Sequence, residues 1–468
     1  MLFSSMTFLF VFMPLVMAVY FLSKKEIRNY VLLIASIIFY AWGEPRYLAI
    51  MIITILVNYA GAILLDKHYS SRQRLWIVSL TIVLDLSFLF YFKYFNFFVD
   101  NINGVLATDF QLLDVIMPIG ISFYTFQAMS YLIDVYRREV PAQKDVYKLA
   151  LYIVLFPQLV AGPIVKYHDV CEQIDNRTIE FKNVIIGFKR FITGLAKKVL
   201  IANTLAEVVD KIFAQAPENL TTGVSWLGAV AYCLQLYYDF SGYSDMAIGL
   251  GLMFGFRFLE NFNYPYISKS ITEFWRRWHI SLATWFKLYL YIPLGGNRKG
   301  AVRTYWNLFA VFLVTGIWHG AAWSYVAWGI WNGIFIVIER FFGLDKDKND
   351  RWYVSAAKHV YAFFAIVWGM IIFRAESLSY AYEYICRMLH IDVTKHLPDY
   401  DYGVNNKFAI MLIVGLICAM PVCRNLIYIK YEHKVQRTLV NIWLFLLFFW
   451  STISLAASTY NPFIYFRF

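Results

Sequence analysis

Apolar runs of near-bilayer length recur from one end of this chain to the other, and that recurrence restricts the fold more than any other feature. They cover about residues 2–22, 47–65, 75–92, 306–342, 353–373, 408–420 and 439–456, with a shorter run at 30–42 parted from the next by Gly43-Glu44-Pro45-Arg46. About 20 apolar residues cross the hydrocarbon core, and backbone inside it must satisfy its own hydrogen bonds. Hydrophobic residues make up 60% of the 468 and charged ones 16%, whereas soluble domains carry about 45–50% and 25%. A soluble globule would leave much of this apolar surface wet. The expected fold is therefore an all-α polytopic membrane protein of roughly 11 to 13 spans, formed as one domain over residues 1–468.

The formal net charge of +11 suits either nucleic-acid binding or membrane topology, and the two predict different distributions of Lys and Arg. A nucleic-acid face would concentrate them. Here they form short clusters between apolar runs: Lys24, Lys25 and Arg28; Lys67, Arg72 and Arg74; Arg137, Arg138, Lys144 and Lys148; Lys189, Arg190, Lys197 and Lys198. That is the positive-inside pattern, and no nucleic-acid partner is expected. Placing the basic loops in the cytoplasm, and 43–46 with the weakly charged loop at 100–111 outside, puts the N-terminus on the extracytoplasmic face. The first run has no basic n-region and no cleavage site near its end, so it reads as an uncleaved span. The cysteines, Cys171, Cys233, Cys386, Cys418 and Cys423, are scattered without CxxC or His/Cys ligand spacing. They read as packing residues, with no metal and no bound cofactor expected.

The middle of the chain is irregular. Residues 149–165 are interrupted by Pro157, Gly162 and Pro163, and the run at 224–258 contains Asp239, Gly242, Asp245, Gly249 and Gly251. Broken helices and polar groups at membrane depth persist only against protein or a water-filled cavity, so function is expected in the block at about 117–335. The stretches at 345–351 and 389–407 read as ordinary loops. Asp239 and Asp245 lie six apart, about 120° on an ideal helix, which argues against a carboxylate dyad. They are expected to orient helix ends or to hold His or Arg side chains.

Most histidines (His68, His168, His359, His390, His396 and His433) stand beside polar residues and read as loop or interface residues. His319 lies in an apolar run, between Gly316 and Gly320. An ionisable group there is costly and marks a functional site; the alternative is a neutral imidazole bonded across two helices. Burial favours the neutral form that a general base needs, and the glycines let a substrate or another helix approach the ring. A second constellation runs from Ser268 to Phe286. Read as one helix begun by the Ser270/Glu273 capping box, it aligns Phe274, Trp278, Ser281 and Trp285. Its Trp and Arg suit a headgroup anchor, while His279 allows an inward dip beside His319. There is no P-loop, no HExxH and no GxSxG elbow.

The segments IIFYAWGEPRY (37–47), MPIGISFYTFQAMSYLIDVYR (117–137), FPQLVAGPIVKY (156–167), the long block at 239–286, YIPLGGNRKG (291–300) and TGIWHGAAW (315–323) resemble the membrane-bound O-acyltransferase (MBOAT) family, alginate O-acetyltransferase membrane-subunit type. The resemblance implies a ring of tilted and broken helices around a central tunnel joining a cytoplasmic acyl donor to an acceptor. It also implies His319 of the WHG motif as the catalytic residue, and His279 of the RRWHIS motif as a second active-site histidine. Trp275, Arg276, Arg277, Trp278, Asp239, Ser241, Asp245, Asn261 and Trp318 are candidates for donor or acceptor contacts. One departure concerns Trp285-Phe286-Lys287-Leu288-Tyr289, where such proteins carry Arg-Asp in place of Lys287-Leu288; an ion pair is lost there.

The expected function is acyl transfer, acetyl foremost, in the cell membrane. A cytoplasmic thioester such as acetyl-CoA would serve as co-substrate, and an extracytoplasmic polysaccharide hydroxyl or a secreted acetyltransferase partner would accept. The alternatives are D-alanyl transfer to teichoic acid from a carrier-protein thioester, and a non-enzymatic transporter or flippase.

Overall fold

Every regular element among the described residues is helical. A computed structural model describes the whole chain except residues 68–69, 161, 345–350, 391–399, 424–433, 459 and 465–468. The loops expected at 345–351 and 389–407 lie largely outside the described residues, and His68, His396, His433 and the Cys423 side chain lie outside them too. The chain divides into two units, one made of Met1–Phe191 and Ser244–Leu259, the other of Ile192–Tyr243 and Glu260–Phe468.

In the first unit a π-helical turn, Phe8–Phe12, leads into α1 (Met13–Leu22), followed by α2 (Arg28–Gly43), α3 (Leu48–Asp66), α4 (Ser71–Leu89), α5 (Phe95–Leu106), α6 (Ile121–Arg137), α7 (Val146–Val154), α8 (Phe156–Leu159) and α9 (Tyr167–Asn176). Gly43 and Pro45 end α2, and Ser70 with Gln73 forms the capping box that starts α4. Phe3, Phe8, Phe12, Phe39 and Phe156 form the core here, with ring centroids 4.9 to 6.5 Å apart. Pro157 and Gly162 interrupt the chain as expected, leaving α8 a single turn.

The loop expected at 100–111 is a correction. A π turn, Phe90–Tyr94, joins α4 to α5, so Ser71–Leu106 is one helix of 36 residues. Its last turns are polar because Asn101 and Asn103 bond nearby backbone, and low hydropathy there marks an amphipathic helix. Among the described residues four helices are long and apolar enough to cross a bilayer: Pro45–Asp66, Ser71–Leu106, Trp352–Arg374 and Val435–Ala457.

Next come α10 (Phe181–Ala196), α11 (Asn203–Phe213) and α12 (Thr222–Met253). The second correction falls on α12, which runs unbroken for 32 residues where breaks were expected. Gly249 does not bend it but lets another backbone come close: a Cβ there would stand 2.5 Å from the Gly187 carbonyl oxygen. The second unit continues with α13 (Ile271–Arg277), α14 (Ile280–Phe286), α15 (Ala301–His319), α16 (Trp323–Phe342), α17 (Trp352–Arg374), α18 (Leu378–Met388), α19 (Asn406–Cys418) and α20 (Lys434–Ala457). The run at 306–342 is thus divided between two helices.

Not all the basic clusters are loops. Arg74 is buried and donates to the carbonyls of Leu65 and, at 2.8 Å, Tyr136, closing the ends of α3 and α6. Lys189 and Arg190 lie on α10, and Lys197 and Lys198 open the π turn Lys197–Ala202. Gly249→Val should cost about 1–3 kcal/mol by overpacking, read as a lower melting temperature in detergent. Gly104→Ala, where a Cβ meets nothing within 4 Å, should melt no lower than the parent.

Candidate active site

His319 is the last residue of α15, at the corner before Gly320 rather than in mid-span. The corner is tight because α15 and α16 touch backbone to backbone: a Cβ at Gly329 would lie 2.6 Å from the Phe312 carbonyl oxygen, and one at Gly316 would strike that of Tyr325. A Cβ at Gly320 would collide with the Tyr325 ring. The glycines flanking His319 therefore admit a neighbouring helix. The imidazole is 7% exposed and meets Trp328 and Phe373 edge-on, with centroids 5.0 and 5.2 Å away, while Trp318 stands 4.9 Å off.

The single helix expected from Ser270 onward is two helices. Its start is as read: Ser270 Oγ accepts from the Glu273 amide at 3.0 Å, although Glu273 reaches back to the Lys269 amide instead of completing the box at Ser270. After Arg277 the chain turns, with Trp278 extended and His279 in the left-handed region at φ 45°, ψ 53°. A non-glycine residue held there stores strain, which clusters at functional sites. The segment at 261–263 imposes the break by taking backbone groups from the helix. Asn263 donates to the Arg277 carbonyl at 2.9 Å, and the Ile280 amide donates to the Asn261 carbonyl at 2.9 Å.

Asn261 also fixes the His279 tautomer. Its Oδ1 accepts from the Ser281 amide at 3.1 Å and from Ser281 Oγ at 2.9 Å, so the atom 3.2 Å from His279 Nδ1 is an acceptor. Nδ1 must then carry the proton, leaving the lone pair on Nε2, which meets no hydrogen-bond partner among the described residues. The ring is 1% exposed, a setting that disfavours the imidazolium, and Phe240 of α12 packs edge-on 4.6 Å away.

Both halves of the broken helix reach the His319 corner. Trp275 of α13 packs on Trp328, centroids 5.4 Å apart, and donates from Nε1 to Asn332 at 3.0 Å. Phe286 of α14 packs edge-on against Trp318 at 6.4 Å. Trp278 is buried on Phe274 and Phe262. Arg276 is exposed, whereas Arg277 is held by Glu273 at 2.8 Å and the Asn263 carbonyl at 3.2 Å. Lys287 is exposed, with no ion pair among the described residues.

The acidic candidates serve ion pairs, the first of them buried. Asp239 faces Lys198 at 2.6 Å, with both side chains 2–3% exposed, and its other oxygen accepts from the Ile464 amide at 2.8 Å. Asp245, in the other unit, pairs with Arg190 at 2.8 Å, so it does hold an arginine. Ser241 is buried on α12, and its hydroxyl meets no partner among the described residues. Trp328, Asn332, Phe373 and Lys198 were missed. The first three stand on apolar helices without charge or motif to mark them, and Lys198 was read as a loop charge.

A buried imidazole walled by aromatic rings in a membrane helix bundle suits proton transfer during attack on an acyl group. Residues 37–378 match the membrane-bound O-acyltransferase family, and the chain belongs to it. It is an O-acyltransferase, so the transporter alternative falls away. The chain is 42% identical to the probable alginate O-acetylase of Pseudomonas putida over 100% of both chains. It is 32% identical to the peptidoglycan O-acetyltransferase of Helicobacter pylori, covering 93% of this chain and 89% of that one. Identity to the teichoic acid D-alanyltransferase of Bacillus subtilis is 28%, over 56% of this chain and 70% of that one.

Lys198→Met should destabilise the fold by about 3–5 kcal/mol, because it strands the Asp239 charge in a dry interior. The check is the folded fraction after purification in detergent; wild-type melting would show that the pair carries no such burden.

Proposed function

We propose that this protein moves an acetyl group from a cytoplasmic thioester, acetyl-CoA foremost, to a hydroxyl of an extracytoplasmic polysaccharide or of an acetyltransferase partner that completes the transfer. It does so as one catalytic domain in the cell membrane, with its N-terminus on the extracytoplasmic face. The observation that carries the reading is the placement of His319 in a dry aromatic corner flanked by both helices that meet at His279. Full-length likeness to polysaccharide-acetylating relatives, against partial likeness to the D-alanyltransferase, supports acetyl over D-alanyl transfer.

His319 acts as general base. A ring nitrogen takes the proton of the acceptor hydroxyl as its oxygen attacks the thioester carbonyl. The tetrahedral adduct then collapses, the C–S bond breaks, and the imidazolium returns the proton to the leaving thiolate. His279, with its lone pair on Nε2, accepts a hydrogen bond and orients a reactant; donating to an oxyanion would need a second proton on a buried ring. Arg276, exposed beside this site, is available to meet donor phosphates, whereas Arg277 is engaged by Glu273.

His319→Ala should cut transfer by about 10² to 10⁴ at unchanged protein abundance, measured with radiolabelled acetyl-CoA in proteoliposomes. Full activity in that variant would remove the assignment. No transfer from acetyl-CoA, with transfer of labelled D-alanine from a charged carrier-protein thioester, would favour D-alanyl-type chemistry. Asn261→Leu should lower the rate as well, because it frees His279 to take either tautomer.

A further inference from the structure

Glu339 lies on α16 away from any motif, is 0% exposed, and has no place in the chemistry described so far. Its two carboxylate oxygens gather donors from two other elements. Oε1 accepts from the Ile271 amide at 2.5 Å and the Tyr361 hydroxyl of α17 at 3.0 Å. Oε2 accepts from the Thr272 amide at 2.8 Å and the Thr272 hydroxyl at 2.6 Å. The first two amides of α13 are thus satisfied by a side chain from another helix, and the third, Glu273, by Ser270. Charge-assisted bonds to the leading amides of a helix are among the strong ones, and here they act out of reach of solvent.

The same face of α16 grips α13 along its length. Trp328, Asn332 and Glu339 recur at helical spacing: Trp328 packs edge-on against Trp275, Asn332 bonds its indole, and Glu339 holds the helix start. Trp328 is also the ring against which His319 packs. On α17, Tyr361 bonds Glu339 while Phe373 walls His319. One end of this assembly frames the catalytic imidazole, and the other pins the start of a seven-residue helix whose far end turns into His279. A helix that short has little stability of its own, so its position is set by what grips it.

We infer that Glu339 is a positioning residue for acyl transfer: by clamping the leading amides of α13 it sets the axial placement of Trp275 and His279 relative to the His319 corner. The kinetic part rests on the acyl-transfer reading above. Glu339→Gln replaces one acceptor oxygen with a donor facing amides that are themselves donors. Thr272→Val deletes one hydroxyl donor at nearly constant shape, and Thr272→Ser restores it.

The test combines hydrogen exchange of protein in lipid nanodiscs with steady-state acetyl transfer from acetyl-CoA. In Glu339→Gln, amides of residues 271–281 should exchange at least about tenfold faster, while those of α15 and α17 keep their protection. The kcat should fall about 10- to 100-fold, with KM for the donor unchanged within about threefold. Thr272→Val should show smaller changes of the same kind, and Thr272→Ser should recover both. Should Glu339→Gln fail to fold, the Thr272 pair decides. Unchanged exchange over 271–281 would overturn the proposal, and so would faster exchange with unchanged kcat, a rise in KM alone, or Thr272→Val and Thr272→Ser behaving alike. If the wild type transfers nothing from acetyl-CoA, the donor reading fails, and the exchange measurements still decide whether Glu339 holds α13.

Discussion

A charge or polar group taken out of water into an apolar interior must find its partner there, and the packing of this protein is arranged around that requirement. Moving a bare carboxylate into such a medium costs on the order of 20 kcal/mol in the Born limit, far more than any one helix contact returns. Asp239 is met by Lys198, Asp245 by Arg190, and Asp85, 1% exposed, by both bonds from Asn58 Nδ2 at 2.9 and 3.0 Å. Arg74 is spent on helix-end carbonyls. Each pair fixes how two segments lie against each other, because the partners must stay within hydrogen-bond reach. In these places the polar residues, more than the apolar ones, say which helix faces which.

Ring contacts and hydrogen bonds both place the two histidines. His319 sits between aromatic rings that leave an imidazole little room to turn. His279 is located by hydrogen bonds, with Asn261 choosing which nitrogen keeps the proton. Shape sets where a base sits, and a hydrogen bond sets which atom offers the lone pair. Neither device needs water, and an aromatic surround strengthens every electrostatic interaction within it.

What could be read from the sequence divides along local and tertiary lines. Apolar runs, the Pro and Gly breaks near 157–163, and the Ser270 start of α13 are written in neighbouring residues, and the fold bears them out. His319 stood out because an ionisable group in an apolar run is conspicuous by itself. The unbroken α12 could not be read, because Gly249 and the two aspartates look like breaks until Gly187, Arg190 and Lys198 are seen beside them. The turn at His279 was hidden for the same reason: Asn261 and Asn263 impose it from outside the helix. Glu339 carried no signal at all, since a carboxylate near the end of an apolar helix reads as a surface charge.

The helix Ser71–Leu106 has 36 residues, about 54 Å at 1.5 Å per residue, against a hydrocarbon core of about 30 Å. The excess has to be absorbed by leaning, by running out past the lipid tails, or by the bilayer deforming around it. The π turn at Phe90–Tyr94, with Lys93 and its tyrosines, divides the helix into a part of about bilayer length and a remainder whose asparagines bond backbone further along the chain. This is the longest of the four spanning-length helices among the described residues, so the acyl-chain length of the surrounding lipid becomes a variable in its own right for any rate measured on the reconstituted enzyme.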